Sequence, residues 1–183
     1  MTNPPEILET KRLRLRKPVL EDADEIFRQY AQDAEVTKYV SWRAHRSNDE
    51  TRDFLRGCLE AMESRKSFHW IIDRKDDHQL LGMIATRVDG HKWELGYVLA
   101  RPYWGQGYMT EAVRHALTAA FQNLDLERIE AGAQPENLGS FAVMRPVGMT
   151  SIGERVVWAV NRQQNERCLF YAVNRSEFQA DTL

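Results

Sequence analysis

The sequence predicts an α/β domain built around a mixed central sheet, and three observations predict it. Strand-like and helix-like periodicities follow one another in the order β-α-α-β-β-β-α-β-α-β-β. Three consecutive strand-like runs, at 68–73, 80–88 and 93–99, are separated by the turn formers Asp76-Asp77-His78 and Asp89-Gly90, the mark of an antiparallel meander. A strongly periodic helix then links the run at 93–99 to another at 127–133. Such a crossover requires those two strands to lie parallel, with a right-handed connection.

Each element has its own local reason. Leu13, Leu15 and Val19 alternate with Arg12, Arg14 and Arg16, as in a half-buried strand, and Pro18 ends it. Ala23, Ile26, Phe27 and Tyr30 fall on one face of a helix. Ser47 opens a second helix, with Glu50 three residues on to complete a capping box. Its apolar face is Phe54, Leu55, Cys58, Leu59 and Met62. After the meander, Val113, Ala116, Leu117, Ala120 and Phe121 match the helical template most closely. A short helix at 140–147 and a closing strand pair at 155–160 and 167–173 complete the order. Residues 1–183 thus read as one domain, with a patternless tail at 176–183 expected to fray.

Composition narrows the function. With 43% hydrophobic and 28% charged residues, the chain is neither disordered nor a collagen-like repeat, and two cysteines make no disulfide scaffold. A net charge of -2 offers no bulk attraction to nucleic acid or an anionic membrane, so neither is an expected partner. Cys58 and Cys168 read as buried thiols in a reducing compartment. No apolar run approaches the ~18 residues of a membrane span, and residues 1–8 lack the core of a signal peptide. A cytoplasmic location is expected. His45, His69, His78, His91 and His115 show no metal-ligand spacing, so no metal is expected and surface or packing roles are assigned to them.

Any anion must therefore be held locally, and Trp104-Gly105-Gln106-Gly107-Tyr108-Met109 is the place to hold it. Two glycines one residue apart let the backbone turn tightly and leave its N–H groups unscreened. The start of the following helix adds unpaired amides and the positive end of its dipole. Three phosphate-binding readings compete. A P-loop would need a lysine after the turn, and none is there. A dinucleotide fingerprint would need a small third residue where Thr110 stands, although Glu127 or Glu130 falls at the ribose-binding distance. The third is an acyl-CoA turn.

The third reading carries a resemblance. Thr10-Lys11-Arg12-Leu13-Arg14-Leu15-Arg16, Glu94-Leu95-Gly96-Tyr97-Val98-Leu99, the run Pro102 through Ala112 and Asn137-Leu138-Gly139-Ser140 together resemble the GNAT superfamily of N-acetyltransferases. The likeness is to its RimJ/RimL-like branch of ribosomal-protein N-terminal acetyltransferases and covers roughly residues 7–174. It implies acetyl-CoA as co-substrate and a sheet whose central parallel strands splay apart. By position it implies main-chain contacts from Tyr97, Val98 and Leu99 to the pantetheine arm. It also implies a pyrophosphate cradle at Trp104, Gly105, Gln106, Gly107, Tyr108 and Met109, and a polar contact to the arm from Asn137. One departure is Val143-Met144-Arg145-Pro146-Val147-Gly148-Met149, where Pro146 shortens or kinks the last helix.

Acetyl transfer from a thioester needs a neutral amine, an oxyanion donor and help for the departing thiolate. The resemblance implies Glu94 as the group that receives the amine's proton, a backbone N–H near Val98 as oxyanion donor, and Ser140 as the thiolate's partner. Ser140 also reads as a helix cap, and Trp42 as a wall of the acceptor pocket. Moving a proton from a lysine to an ordinary glutamate is about 6 pH units uphill, roughly 8 kcal/mol. From an α-amine it is about 3.5 units, roughly 5 kcal/mol. The expected function is therefore direct acetylation of a primary amine in a ternary complex, with a protein or peptide N-terminus preferred. A polyamine, amino acid or aminoglycoside acceptor stays open, as do a non-catalytic acyl-CoA-binding regulatory domain and a homodimer.

Overall fold

The computed structural model describes residues 3–159 and 161–179. The strands are β1 (Ile7–Glu9), β2 (Leu13–Arg16), β3 (Ser67–Arg74), β4 (Leu80–Asp89), β5 (Lys92–Leu99), β6 (Arg128–Ala133), β7 (Thr150–Ala159) and β8 (Gln164–Asn174). They form one eight-stranded mixed sheet in the order β1-β2-β3-β4-β5-β6-β8-β7. The helices are α1 (Ala23–Ile26), α2 (Asn48–Glu63), α3 (Tyr108–Asn123) and α4 (Leu138–Met144).

Strand alternation divides the core between the two faces of this sheet. Leu13, Leu15, Ile72, Ile84 and Leu95 pack under α3 and α4, where Val113, Leu117 and Phe141 are buried. Ile71, Met83 and Val98 face the other way, toward Ile26 and Tyr30 of the first helical segment and Leu55 of α2.

The meander β3–β4–β5 is antiparallel throughout. The crossover through α3 makes β5 and β6 parallel, as expected. Their pairing covers Lys92↔Arg128, Trp93↔Ile129 and Glu94↔Glu130, and there it stops. Beyond Glu130, β6 stays paired to β8 through Ala133, while β5 stays paired to β4 through Leu99. The two central strands therefore splay, each held by its outer neighbour.

Several local expectations are corrected. β1 pairs with β2 from Ile7↔Arg16 to Glu9↔Arg14, and three residues are too few to show a period. The first predicted strand stops at Arg16, and Val19 is 45% exposed in the turn beyond it. The first helix is composite: a 3₁₀ turn at Leu20–Asp22, then α1, then a π turn at Phe27–Ala31. Ser47 does cap α2, accepting the Glu50 N–H at 3.3 Å, but the Glu50 carboxylate accepts from the Arg46 N–H (2.9 Å), so the capping box is displaced by one residue. α4 begins two residues early, because Asn137 rather than Ser140 caps it, with its side chain accepting the Ser140 N–H at 3.3 Å. Pro146 is accommodated by ending α4 at Met144. The Gly148 N–H bonds Arg145 and the Met149 N–H bonds Met144, each at 3.1 Å, the paired closure of a Schellman turn.

β7 and β8 are longer than predicted, and Val160 lies outside the described residues. In the tail, the Phe178 ring packs 5.2 Å from Phe121, while residues 180–183 also lie outside them. Both cysteines are buried and free. Among the described residues no helix is long and apolar enough to cross a membrane.

Candidate active site

The parting of β5 and β6 opens a cavity of about 860 Å³. Glu94, Gly96, Tyr97 and Val98 line it from β5, Gly132 and Ala133 from β6, and Asn137 and Ser140 from α4. Nothing lies within 4 Å of the place a Cβ would take on Gly96, so the floor there is open.

Main-chain direction along β5 sets what the gap is offered. The Ala100 N–H donates to the Leu81 carbonyl at 2.8 Å. Alternation then turns the Val98 peptide groups toward β4 and those of Tyr97 and Leu99 toward the gap. The expected main-chain contact from Val98 to the pantetheine arm is corrected on this ground, because its N–H and carbonyl belong to the β4 ladder; an amide donor near Val98 has to be that of a neighbouring residue. The Leu99 carbonyl is taken by the Trp104 indole N–H at 2.7 Å, which pins Trp104 beside the strand end with 48% of its surface exposed.

At the end of β5 the chain makes a 3₁₀ turn at Arg101–Tyr103 and enters the glycine segment. Gly105 and Gly107 have φ of +72° and +75°, the left-handed region that a side chain disfavours. Gly107 is the N-cap of α3 and carries no side-chain cap. The first helical bond joins the Glu111 N–H to the Gly107 carbonyl at 3.0 Å, so the amides of Tyr108, Met109 and Thr110 precede the ladder. The side chains of Tyr108 and Met109 are buried, leaving main chain as their contribution to the turn. Gln106 bends back, its side-chain N–H₂ donating to the Pro102 carbonyl at 2.8 Å.

The turn is braced from behind. Glu111 accepts from the Thr10 hydroxyl (2.5 Å), the Arg12 N–H (2.8 Å) and the Arg12 Nε (2.6 Å), and Arg12 Nη1 donates to the Gln106 carbonyl at 3.0 Å. Burial pushes the Glu111 carboxyl up, but the hydrogen bonds from Thr10 and Arg12 outweigh it and hold Glu111 below its ordinary range. These contacts give the Thr10-to-Arg16 stretch a structural role.

Glu94 sits on the opposite sheet face from α3, in a row with its register partner Arg87 and, beyond it, Ser67, the partner of Arg87. Its carboxylate is 44% exposed and ion-paired to Arg87. Ser140 lies across the gap on α4, its N–H bonded to Asn137 and its carbonyl accepting the Tyr97 hydroxyl at 2.9 Å. Trp42 lines the same cavity, its ring 5.0 Å from His45 and 6.2 Å from Phe54. The β7–β8 turn fastens this wall: Asn161 donates to the Val40 carbonyl (3.0 Å) and the Trp42 carbonyl (3.3 Å), and Arg162 to the Lys38 carbonyl (2.6 Å).

Of the predicted site residues, Trp42, Glu94, Tyr97, Val98, Asn137 and Ser140 line the cavity, whereas Leu99 and Trp104 through Met109 are not among its lining residues, and the sequence reading missed much of the wall. His45, Phe54, His69, Arg87, Arg162 and Glu166 line the cavity. The packing roles assigned to His45 and His69 are extended accordingly. Burial lowers the imidazole of His69 to about 4 and depresses that of His45 against the pull of Glu50. The register of the Asp89-Gly90 hairpin was the available signal for Arg87, since a two-residue turn puts Asp89 opposite Lys92 and Arg87 opposite Glu94. No sequence signal brings α2 residues to β5. Among the described residues no group of His, Cys, Asp and Glu is placed to hold a metal ion.

A mixed sheet parted at its parallel pair, with a bare helix start following the inner strand and a carboxylate on the opposite face, fits an acyl-transfer class of protein. The profile of the acetyltransferase (GNAT) domain matches residues 12–150, and the chain belongs to that family of acetyltransferases. It is 32% identical over 151 residues to the uncharacterized N-acetyltransferase p20 of Bacillus licheniformis, covering 81% of this chain and 84% of that one. A GNAT-family acetyltransferase from Bacillus anthracis superposes with a TM-score of 0.82 at 27% identity, over 93% of this chain and 99% of that one. The ribosomal L7/L12 α-N-protein acetyltransferase RimL, solved with coenzyme A, shares the fold at a TM-score of 0.83 and 18% identity, over 96% and 100%.

Proposed function

We propose that this acetyltransferase moves an acetyl group from acetyl-CoA to a primary amine by direct attack within a ternary complex. The preferred acceptor in this reading is a protein or peptide N-terminus, as in the RimJ/RimL-like branch. The carrying observation is the cavity where β5 and β6 part after Glu94↔Glu130, lined by Glu94, with β5 leading on through one 3₁₀ turn to the uncapped start of α3.

The residues present fit acetyl-CoA. Tyr97 and Leu99 would offer strand-edge groups to the pantetheine arm, with the Val98 side chain and Asn137 beside it. Trp104 through Met109 would take the pyrophosphate on main-chain amides, where the helix dipole favours negative charge. Acetyl-CoA supplies a thioester carbonyl already activated toward amines. Glu94, half-exposed on the wall of the cavity, would accept the amine's proton. Ser140, whose main-chain groups are both engaged, would use its hydroxyl to hydrogen-bond the departing thiolate. Cys168 is not needed as a nucleophile: burial, with Glu166 nearby, pushes its thiol up and away from the reactive thiolate. Two buried free thiols fit a cytoplasmic setting.

The test is thiol release from acetyl-CoA across a panel of peptides, polyamines, amino acids and aminoglycosides, with mass spectrometry of the products. Acetylated peptide N-termini support the reading. Acetylation of small amines alone moves the acceptor class, and acetyl-CoA binding without release with any amine overturns the enzymatic role.

A further inference from the structure

The cavity contains a histidine with no task in the chemistry above. His69 is 9% exposed, on β3 facing the acceptor side, and its Nδ1 is buried without a hydrogen-bond partner. Its Nε2 lies 2.8 Å from the Ser67 hydroxyl oxygen. A proton on Nδ1 would be a buried, unpaired N–H, rarer and costlier than an unpaired lone pair. The proton therefore belongs on Nε2, which donates to Ser67. Burial keeps the ring neutral near pH 7, consistent with that single donor. Ser67, already accepting from His69, has its own O–H left to donate into the cavity.

Ser67 occupies a defined place relative to Glu94. Ser67 pairs with Arg87 and Arg87 with Glu94, so the three stand in one row on one sheet face. Two strand spacings separate the ends of the row by about 9.5 Å. An extended peptide advances about 3.4 Å per residue, so two residues and one hydrogen bond of ~2.9 Å span that distance. A lysine side chain or a polyamine brings methylene groups over the same stretch and no acceptor.

We infer that Ser67, oriented by His69, is a specificity residue that donates to the second backbone carbonyl of a peptide acceptor whose N-terminal amine lies at Glu94. This rests on the peptide-acceptor reading above and adds to it the part of the peptide that is read. Ser67 acts on the substrate; His69 is a positioning residue.

The experiment uses the purified full chain, acetyl-CoA, and two tetrapeptide amides. One is unmodified, and the other replaces the second peptide bond with a trans-alkene that has no carbonyl. The wild type is expected to favour the unmodified peptide about fivefold to tenfold in kcat/KM, the scale of one hydrogen bond. Ser67→Ala should raise KM for the unmodified peptide by that factor, leave kcat in place, and leave the alkene peptide unchanged. Ser67→Thr should restore the preference. His69→Gln, which keeps an N–H donor, should retain more of it than His69→Leu. Equal treatment of the two peptides by the wild type, or equal losses on both in Ser67→Ala, overturns the inference while peptide acetylation stands. Acetylation of polyamines with neither peptide modified overturns the peptide-acceptor reading and this inference together.

Discussion

Glu94 of β5 and Glu130 of β6 are register partners and the last pair that the two parallel strands make. Their surroundings differ. Glu130 is held by Arg128 (2.9 Å) and Arg155 (2.8 Å). Burial raises its carboxyl, but the hydrogen bond and charge of Arg155, with Arg128 and Lys92, outweigh it and keep Glu130 below its ordinary range. Glu94 meets an arginine whose side chain is 75% exposed, on the side that opens to the cavity. One carboxylate is locked into the fork of the sheet, and the other faces the cavity beside an exposed arginine.

Glu94→Gln is therefore expected to lower kcat/KM about 10²-fold near neutral pH, the usual scale for a general base. Acetyl-CoA affinity, followed by titration, should stay unchanged. The deficit should narrow as pH rises through the amine's own pKa, because the acceptor then arrives already deprotonated. A deficit of the same size at every pH would show that Glu94 serves geometry rather than proton transfer.

At the glycine turn, Gly107→Ala places a Cβ at a φ of +75° and 3.5 Å from Arg12 Nη2. The left-handed conformation costs a non-glycine residue about 1–2 kcal/mol. Stability in urea should fall by about that amount, with a weakened affinity for acetyl-CoA as the amides shift. Arg12→Ala, which removes the brace on the Gln106 carbonyl and the ion pair to Glu111 without changing the turn's conformational preference, should also weaken the affinity.

The contrast explains what the sequence revealed. The turn, the crossover and the meander were legible because each depends on neighbours in the chain: glycine spacing, helical period and a two-residue hairpin. The same hairpin register already implied Arg87 opposite Glu94. His45, Phe54, Arg162 and Glu166 were not legible, because they reach the cavity from the segment before α2, from α2 itself and from the β7–β8 hairpin through tertiary packing. Ser140 was misread as a cap because Asn137, three residues earlier, takes that role through a side-chain oxygen. The main-chain contact expected of Val98 fails because the direction of its peptide groups depends on which residues of β4 and β5 form the hydrogen-bonded pairs.

Two glycines on neighbouring strands should respond oppositely to alanine. A Cβ on Gly82 would stand 2.1 Å from the Val98 carbonyl oxygen, whereas one on Gly96 would meet nothing within 4 Å. Gly82→Ala must push β4 from β5 beside the gap, and overpacking of this kind costs about 1–3 kcal/mol. Gly96→Ala should leave the urea midpoint nearly unchanged but narrow the cavity floor and raise KM for the acceptor. Equal loss of stability in both variants would mean that the floor at Gly96 is not open.

His69 makes the stability of the fold depend on pH. Its imidazole is lowered from 6.5 to about 4 by burial, so between those values the unfolded chain binds a proton that the folded chain does not. Stability must then rise with pH across that window. The contribution is complete above pH ~6.5 and is lost progressively as pH falls toward ~4, where the buried ring must charge. A shift of that size corresponds to on the order of 3 kcal/mol. Urea midpoints for the wild type and His69→Gln, taken from pH 4 to pH 7, measure it. The wild-type slope should exceed that of the variant only below pH ~6.5. Parallel slopes would show that His69 is accessible to protons in the folded state, and with that the neutral ring orienting Ser67 would lose its basis.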